Sequence, residues 1–317
     1  PASKVPHGWP VLRLGFRPFY VAAAALACVA VPLWVAAMLG AVSLDLGVSP
    51  MLWHAHEMLL GFATGVIVGF LLTAVKAWTG LQTPRGAALG ALVLLWLAAR
   101  VAAWVAPYPV YAALDVVLLP AVAVILVRIL LRAGNKRNLP LAGSLILLSV
   151  ANLVFHLSVM GVLGVPPVHA LYAGLALIVM IECVMAGRVV PMFTNNGVRG
   201  ATATRHPLVE KIALGSVLAL MLADAVTGMV TESWTLHGWP LALVAGVCAV
   251  AHWVRWLLWK PWQTLGNPMV WVLQAAYAWV PLHLGLRALA ELGWVAPSAA
   301  THALTVGAAG GLIMGMM

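Results

Sequence analysis

Long apolar blocks separated by short polar connections run through the whole chain. Each block holds about 20 mostly apolar residues, the length with which an α-helix crosses the hydrocarbon core of a bilayer. The pattern predicts ten transmembrane helices, at residues 18–40, 51–74, 86–105, 108–132, 139–163, 167–190, 207–230, 237–259, 268–291 and 298–317. No connection is long enough for a soluble domain, so we predict an all-α, polytopic helical bundle that forms a single transmembrane domain over residues 1–317.

The composition supports a membrane protein. Hydrophobic residues make up 64% of the chain and charged residues only 8%, with a mean hydropathy of +1.03. A soluble domain carries about 25% charged residues, so this chain has too little polar surface to cover an apolar core in water. The three cysteines lie within apolar blocks without a CxxC pair, and we interpret them as small buried hydrophobic residues.

Lysine and arginine residues are confined to alternate connections between the predicted spans, apart from Arg100 and Arg287. Because cytoplasmic loops carry an excess of basic residues, this asymmetry predicts a cytoplasmic N-terminus, with even-numbered spans running from the outer side inward. The net charge of +9 therefore reflects membrane orientation and gives no reason to expect a nucleic-acid partner. The two exceptional arginines have candidate acidic neighbours in Asp115 and Glu291.

With this orientation, seven of the ten histidines lie in the outer half of the predicted bundle. They are His54, His56, His156, His169, His237, His283 and His302. Histidines that only hold helices together need not share one level of the membrane. The shared level therefore favours a metal or haem centre near the outer side, since imidazole is a ligand of both haem iron and copper.

The strongest single motif lies in residues 51–80, where His54, His56 and Glu57 interrupt an otherwise apolar span. A charged group at the bilayer centre costs about 2.5–3.5 kcal/mol, so such residues usually face a site lined by protein. Helical geometry places His54 and His56 on nearly opposite faces, so they cannot chelate one ion together. Either they serve two centres, or one is a ligand and the other a hydrogen-bonded support. Glu57 is a candidate supporting residue.

Two glycine stripes repeat the same spacing, at Gly61, Gly65 and Gly69 and again at Gly307, Gly311 and Gly315. The usual meaning of this pattern is close packing between transmembrane helices. A flat macrocycle pressed against a helix backbone would need a similar surface.

Further candidate ligands open or close other spans. Asn152 and His156 belong to a polar strip on span 5, where Asn152 either orients the imidazole or joins a plain interhelical network. His169 opens span 6, and Glu182 lies deeper in it as the most isolated carboxylate of the chain. We expect Glu182 to pair with a basic group or to be protonated, with a proton path as its candidate role.

The end of span 6 carries the segment RVVPMFTNN, from Arg188 to Asn196. Proline disfavours continuation of a helix, so we expect Pro191 to end this one. Arg188 is a candidate to form an ion pair with a haem propionate or a lipid phosphate. The alternative is an ordinary basic residue that anchors the cytoplasmic end of the span.

The run WHAHEMLLGFATGVIVGFLLTAVKAWTG resembles the NnrS family of bacterial inner-membrane proteins, and so do RVVPMFTNN, HWVRWLLWKPWQTLGNPMVWVL and HALTVGAAGGLIMGMM. The resemblance covers nearly the whole chain. It implies a many-span bundle in the bacterial inner membrane, containing haem b and copper and linked to nitric oxide stress and denitrification. The family's paired histidines match His54 and His56, and its late histidine matches His302. Gln274 stands where a histidine is commoner in the family, which implies an altered metal centre here if Gln274 replaces a ligand.

Together with the resemblance, these observations predict a haem-binding membrane protein, with copper as a further candidate metal. The resemblance implies that it binds, senses or converts nitric oxide, near the periplasmic side. The candidate ligands are His54, His56 and His302, followed by His156 and His169, with Glu57 and Arg188 beside the cofactor. An enzyme that turns over nitric oxide would need an external electron donor, because the chain has no CxxCH motif and no electron-entry domain. A transporter or carrier of haem, copper or a small ligand is the alternative class.

Overall fold

The computed structural model describes residues 9–230 and 238–316, without the side chains of residues 226–230. Within these ranges the chain forms ten helices and no strand, which confirms the predicted all-α fold. The helices are α1 Phe16–Met38, α2 Pro50–Thr79, α3 Ala87–Val105, α4 Tyr108–Arg132, α5 Leu139–Val159, α6 Pro167–Gly197, α7 Pro207–Val230, α8 Trp239–Leu258, α9 Pro268–Glu291 and α10 Pro297–Met316. The predicted start of span 8, with His237, lies outside the described residues.

Nine of the described helices are long and apolar enough to cross a membrane. The tenth, α7, has the bounds predicted for span 7 but carries Glu210, Lys211 and Asp224. The protein is therefore a multi-pass membrane protein. The direction in which the spans cross stays a prediction.

The helices pack into two compact units, Pro1–Leu175 and Ala176–Met317. In the first unit α2 packs against α1 and α4, and α4 also packs against α3 and α5. In the second unit α8 packs against α7 and α9, and α9 packs against α10. The single transmembrane domain expected from the sequence stays a prediction.

Helices α2 and α10 share a local feature, a histidine followed by a π-helical turn. The repeated glycine spacing in the sequence indicated only that the two helices are similar. In each helix a histidine, His56 or His302, is followed at once by a π-helical turn, Glu57–Ala63 or Ala303–Gly310. The first glycine of each stripe stands five residues after that histidine. Wide π turns of this kind occur often at functional sites.

The second glycine stripe faces α9, the helix that precedes it, and the first stripe faces both α1 and α3. A Cβ atom on Gly69 would lie 2.9 Å from Cβ of Phe19 on α1. One on Gly311 would lie 2.9 Å from Cβ of Ala276 on α9. The helix pairs α1–α2 and α9–α10 are therefore closed by the same glycine contact, and the prediction of close helix packing is confirmed.

Pro191 does not end α6, contrary to the prediction from the sequence, because the helix continues to Gly197. Transmembrane helices tolerate an internal proline where side chains satisfy the backbone groups around it. The hydroxyl of Thr194 donates to the carbonyl of Val190 at 2.9 Å, whereas the carbonyl that loses its usual N–H partner to Pro191 is that of Gly187. Asn195 then exchanges two hydrogen bonds with the backbone of Ala203, which fastens the loop that follows.

Replacing Gly69 or Gly311 by alanine is predicted to lower the stability of the protein by about 1–3 kcal/mol, since each new methyl group meets a backbone-proximal atom of the neighbouring helix. The measurement is thermal unfolding in detergent. Gly143→Ala and Gly285→Ala are matched controls, because nothing lies within 4 Å of a Cβ atom at either position. Equal unfolding temperatures for all four variants would contradict the packing argument.

Candidate metal centre

Three helices of the first unit bring two imidazoles and a carboxylate together. His56 comes from α2, Asp115 from α4 and His156 from α5, and all three side chains are buried. Oδ2 of Asp115 lies 3.3 Å from Nε2 of His56 and 3.1 Å from Nε2 of His156. One ligand atom from each residue lies within 4.8 Å of the other two. We call these three residues the His–Asp–His group.

An arginine on α3 holds the carboxylates beside the group. The guanidinium of Arg100 donates to Oε2 of Glu57 at 2.7 Å and also forms an ion pair with Asp115. The sequence analysis anticipated the pair with Asp115 but not the pair with Glu57. With neutral imidazoles, the two carboxylates and one guanidinium leave one negative charge in a buried site. A metal cation or an added proton at the imidazoles would neutralise this charge.

Asn152 supports the imidazole of another helix. Its Nδ2 donates to Oδ2 of Asp115 at 2.7 Å, which turns its Oδ1 toward Nε2 of His56 at 3.0 Å. Nε2 of His56 thus faces two acceptor oxygens and must carry either a hydrogen atom or a metal ion. Of the two roles predicted for Asn152, the structure therefore shows the interhelical one.

Two tyrosines of α4 complete the network, and the sequence analysis missed both. The hydroxyl of Tyr108 lies 3.0 Å from Nδ1 of His156, and that of Tyr111 lies 3.2 Å from Nδ1 of His56. Tyr111 also donates to Oε1 of Glu57 at 3.3 Å. A signal was present in the sequence, since Tyr108, Tyr111 and Asp115 recur at the spacing of one helix face.

The donor set suits a single metal ion. Two imidazole nitrogens and one carboxylate oxygen form the ligand set that iron, copper and zinc accept, with positions left for a small ligand. Metal bonds of about 2.0–2.2 Å put neighbouring ligand atoms about 3 Å apart, close to the separations of 3.1 and 3.3 Å found here. Asp115 and Asn152 occupy the space between the two imidazoles, so the group does not fit a haem held between them.

His54 lies outside the His–Asp–His group, as the helical geometry of the motif predicted. Its ring stacks on Trp34 of α1, with centroids 4.0 Å apart and an angle of 17° between the rings. Trp34 packs against an apolar cluster that contains Ala30, Leu46 and Trp53. His54 and His56 therefore face two different environments.

The remaining candidates are also outside the group. His169 is buried near the start of α6 in the first unit. In the second unit, Arg188 lies within α6, and His302 is exposed on α10. Nδ1 of His302 lies 2.7 Å from the carbonyl oxygen of Ser298. Because a carbonyl only accepts, Nδ1 carries the hydrogen and Nε2 presents its lone pair.

Gln274, at the position where a histidine is commoner in the family, donates to the hydroxyl of Thr194 at 2.9 Å.

The fold and this group define a polytopic helical membrane protein with a buried two-histidine, one-carboxylate site. The family model described as NnrS protein matches residues 10–317. The chain belongs to the NnrS family, and membership supports a membrane protein linked to the nitric oxide response. No curated protein and no solved structure matches the chain.

Replacing Arg100 by methionine is predicted to destabilise the protein by about 3–5 kcal/mol, since it strands two buried carboxylates. Adding Glu57→Gln to Arg100→Met removes one stranded charge and should restore part of the loss. The measurement is a double-mutant cycle on thermal unfolding in detergent. If the stability losses of the two single variants add up to the loss in the double variant, Arg100 and Glu57 are not coupled and the prediction is wrong.

Proposed function

We propose that this protein is a metal- and haem-binding membrane protein of the nitric oxide response and of denitrification, in the bacterial inner membrane. It binds, senses or converts nitric oxide at a histidine-ligated centre. The observation that carries the proposal is the buried His–Asp–His group, which sits within helices that cross the membrane.

The surroundings of the group favour a metal ion over a purely structural network. Arg100 neutralises only one of its two carboxylate partners, so the group retains a negative charge that a bound cation would balance. Each imidazole turns Nε2 toward Asp115 and has its Nδ1 beside a tyrosine hydroxyl. Metal-binding histidines are commonly oriented in this way through the nitrogen that does not bind the metal.

The group would hold the ion through His56, Asp115 and His156, and copper and iron are the ions that the family suggests. Such an ion would supply coordination of nitric oxide. The chain itself contributes an apolar surface next to the group, because Phe155 stacks on His56 with ring centroids 4.6 Å apart. Leu60, Ala170 and Leu171 pack in the same buried cluster as Phe155. These apolar side chains suit a small apolar molecule such as nitric oxide beside the group.

Haem b is proposed at a place other than the His–Asp–His group, with His54 and His302 as its candidate ligands, each to be tested separately. His302 supports the assignment because its Nδ1 donates to a backbone carbonyl while its Nε2 lone pair remains available on an exposed side chain. This is the orientation in which histidines usually bind metals. His169 and Arg188 remain candidates of lower rank.

His56→Ala and His156→Ala are each predicted to remove most of the copper or non-haem iron from the purified protein, because each variant deletes one of three ligands. The measurement is metal analysis of the detergent-purified full chain. His206→Ala, at an exposed position outside the helices, is the control. Metal content that is unchanged in both histidine variants would refute a metal site at the group.

His54→Ala and His302→Ala are predicted to abolish or shift the Soret band, while His56→Ala leaves it in place. The absorption spectrum of the purified protein gives the result. Spectra of both variants that match the spectrum of the wild type would exclude His54 and His302 as haem ligands. They would leave the proposal for the His–Asp–His group unaffected.

A transporter or carrier of haem, copper or a small ligand is the second candidate, and the intramembrane carboxylate of Glu182 favours it. Uptake into vesicles without chemical change would support the carrier. Turnover of nitric oxide with an added electron donor would support an oxidoreductase. Reversible binding of nitric oxide without either result would support a sensor.

A further inference from the structure

Glu182 differs from the other carboxylates in the described helices. Its Oε2 is buried and has no hydrogen-bond partner among the described residues. Every other carboxylate in these helices forms an ion pair with an arginine. The pairs are Glu57–Arg100, Asp115–Arg100, Glu210–Arg255, Asp224–Arg287 and Glu291–Arg287.

Arg255 contacts the backbone beside Glu182, but it is already paired with Glu210. Arg255 donates to both carboxylate oxygens of Glu210, at 2.9 and 2.7 Å. Its remaining terminal nitrogen donates to the carbonyl of Cys183 and to the hydroxyl of Tyr277, both at 2.9 Å. Arg255 therefore contacts the backbone of the residue next to Glu182 without serving as its counter-charge.

Of the titratable groups that act on Cys183, the residue next to Glu182, only Arg255 is positively charged. Cys183 and Cys248 are buried thiols, and Glu210 is itself a carboxylate paired with Arg255. Arg287 is held by Asp224 and Glu291. An ionised carboxylate without a counter-charge is strongly disfavoured in a low-dielectric interior, whereas the neutral acid is not.

We propose that Glu182 is a proton-binding site inside the membrane, which carries a proton at rest and exchanges it when a counter-charge approaches. The species that this site binds is a proton. This role is separate from the His–Asp–His group, and a proton site at this depth is suited to coupling proton movement to transport or to reduction.

Infrared spectroscopy of the purified full chain tests the protonation directly. The wild type is expected to show a carbonyl band of a protonated carboxylic acid that shifts in D2O, and Glu182→Gln is expected to lose it. Glu57→Gln is the matched control, because it makes the same change at a carboxylate paired with Arg100, and should keep the band. A wild-type protein without the band, or a band that survives Glu182→Gln, would overturn the proposal.

Carbodiimide labelling of the wild type in native membranes decides the matter even if Glu182→Gln fails to fold, because dicyclohexylcarbodiimide modifies protonated carboxyl groups in apolar surroundings. Peptide mass spectrometry is expected to find the adduct on Glu182 and not on Glu57. Labelling of Glu57 with none on Glu182 would overturn the proposal. The metal content and Soret band of Glu182→Gln are expected to match the wild type, which separates this test from that of the proposed function.

Discussion

The ion pairs of Arg100 with Glu57 and Asp115 are the interaction on which the candidate centre depends. A lone guanidinium or carboxylate buried among transmembrane helices is costly, so each of these groups requires the others. The pairing fixes where α2, α3 and α4 meet. Because Asp115 faces Arg100 with one oxygen and both imidazoles with the other, the same pairing sets the position and the charge of the His–Asp–His group.

The glycine contacts allow this polar network to exist inside an apolar fold. On α2, a Cβ atom at Gly61 would lie 2.6 Å from a terminal nitrogen of Arg100, so the absence of a side chain makes room for the guanidinium. The carbonyl of Gly61, in the π turn, also accepts a hydrogen bond from the indole of Trp96 at 3.2 Å. Packing and site chemistry therefore share the same short segment after His56. The corresponding segment after His302 is built with the same spacing in the second unit.

Charge pairing also separates two kinds of carboxylate in this protein. Glu57 and Asp115 each form an ion pair with Arg100, which suits the orientation of ligands. Among the residues that the structure describes, Glu182 has no such partner, and we propose it as the proton-binding site. The proposed metal site and the proposed proton site therefore differ in one respect, which is whether an arginine lies beside the carboxylate.

The sequence by itself determined the all-α membrane fold and the approximate bounds of the helices, because hydropathy and length are local properties of the chain. It offered Asp115 as a candidate partner of Arg100, and the structure shows the ion pair. The sequence also determined that His54 and His56 face apart, which follows from helix geometry alone. Only the tertiary structure decided that His56 meets His156, that Glu57 shares Arg100, and that Tyr108 and Tyr111 join them. These contacts depend on the rotation and neighbours of each helix, which apolar blocks do not encode. The continuation of α6 past Pro191 was likewise visible only in the tertiary structure.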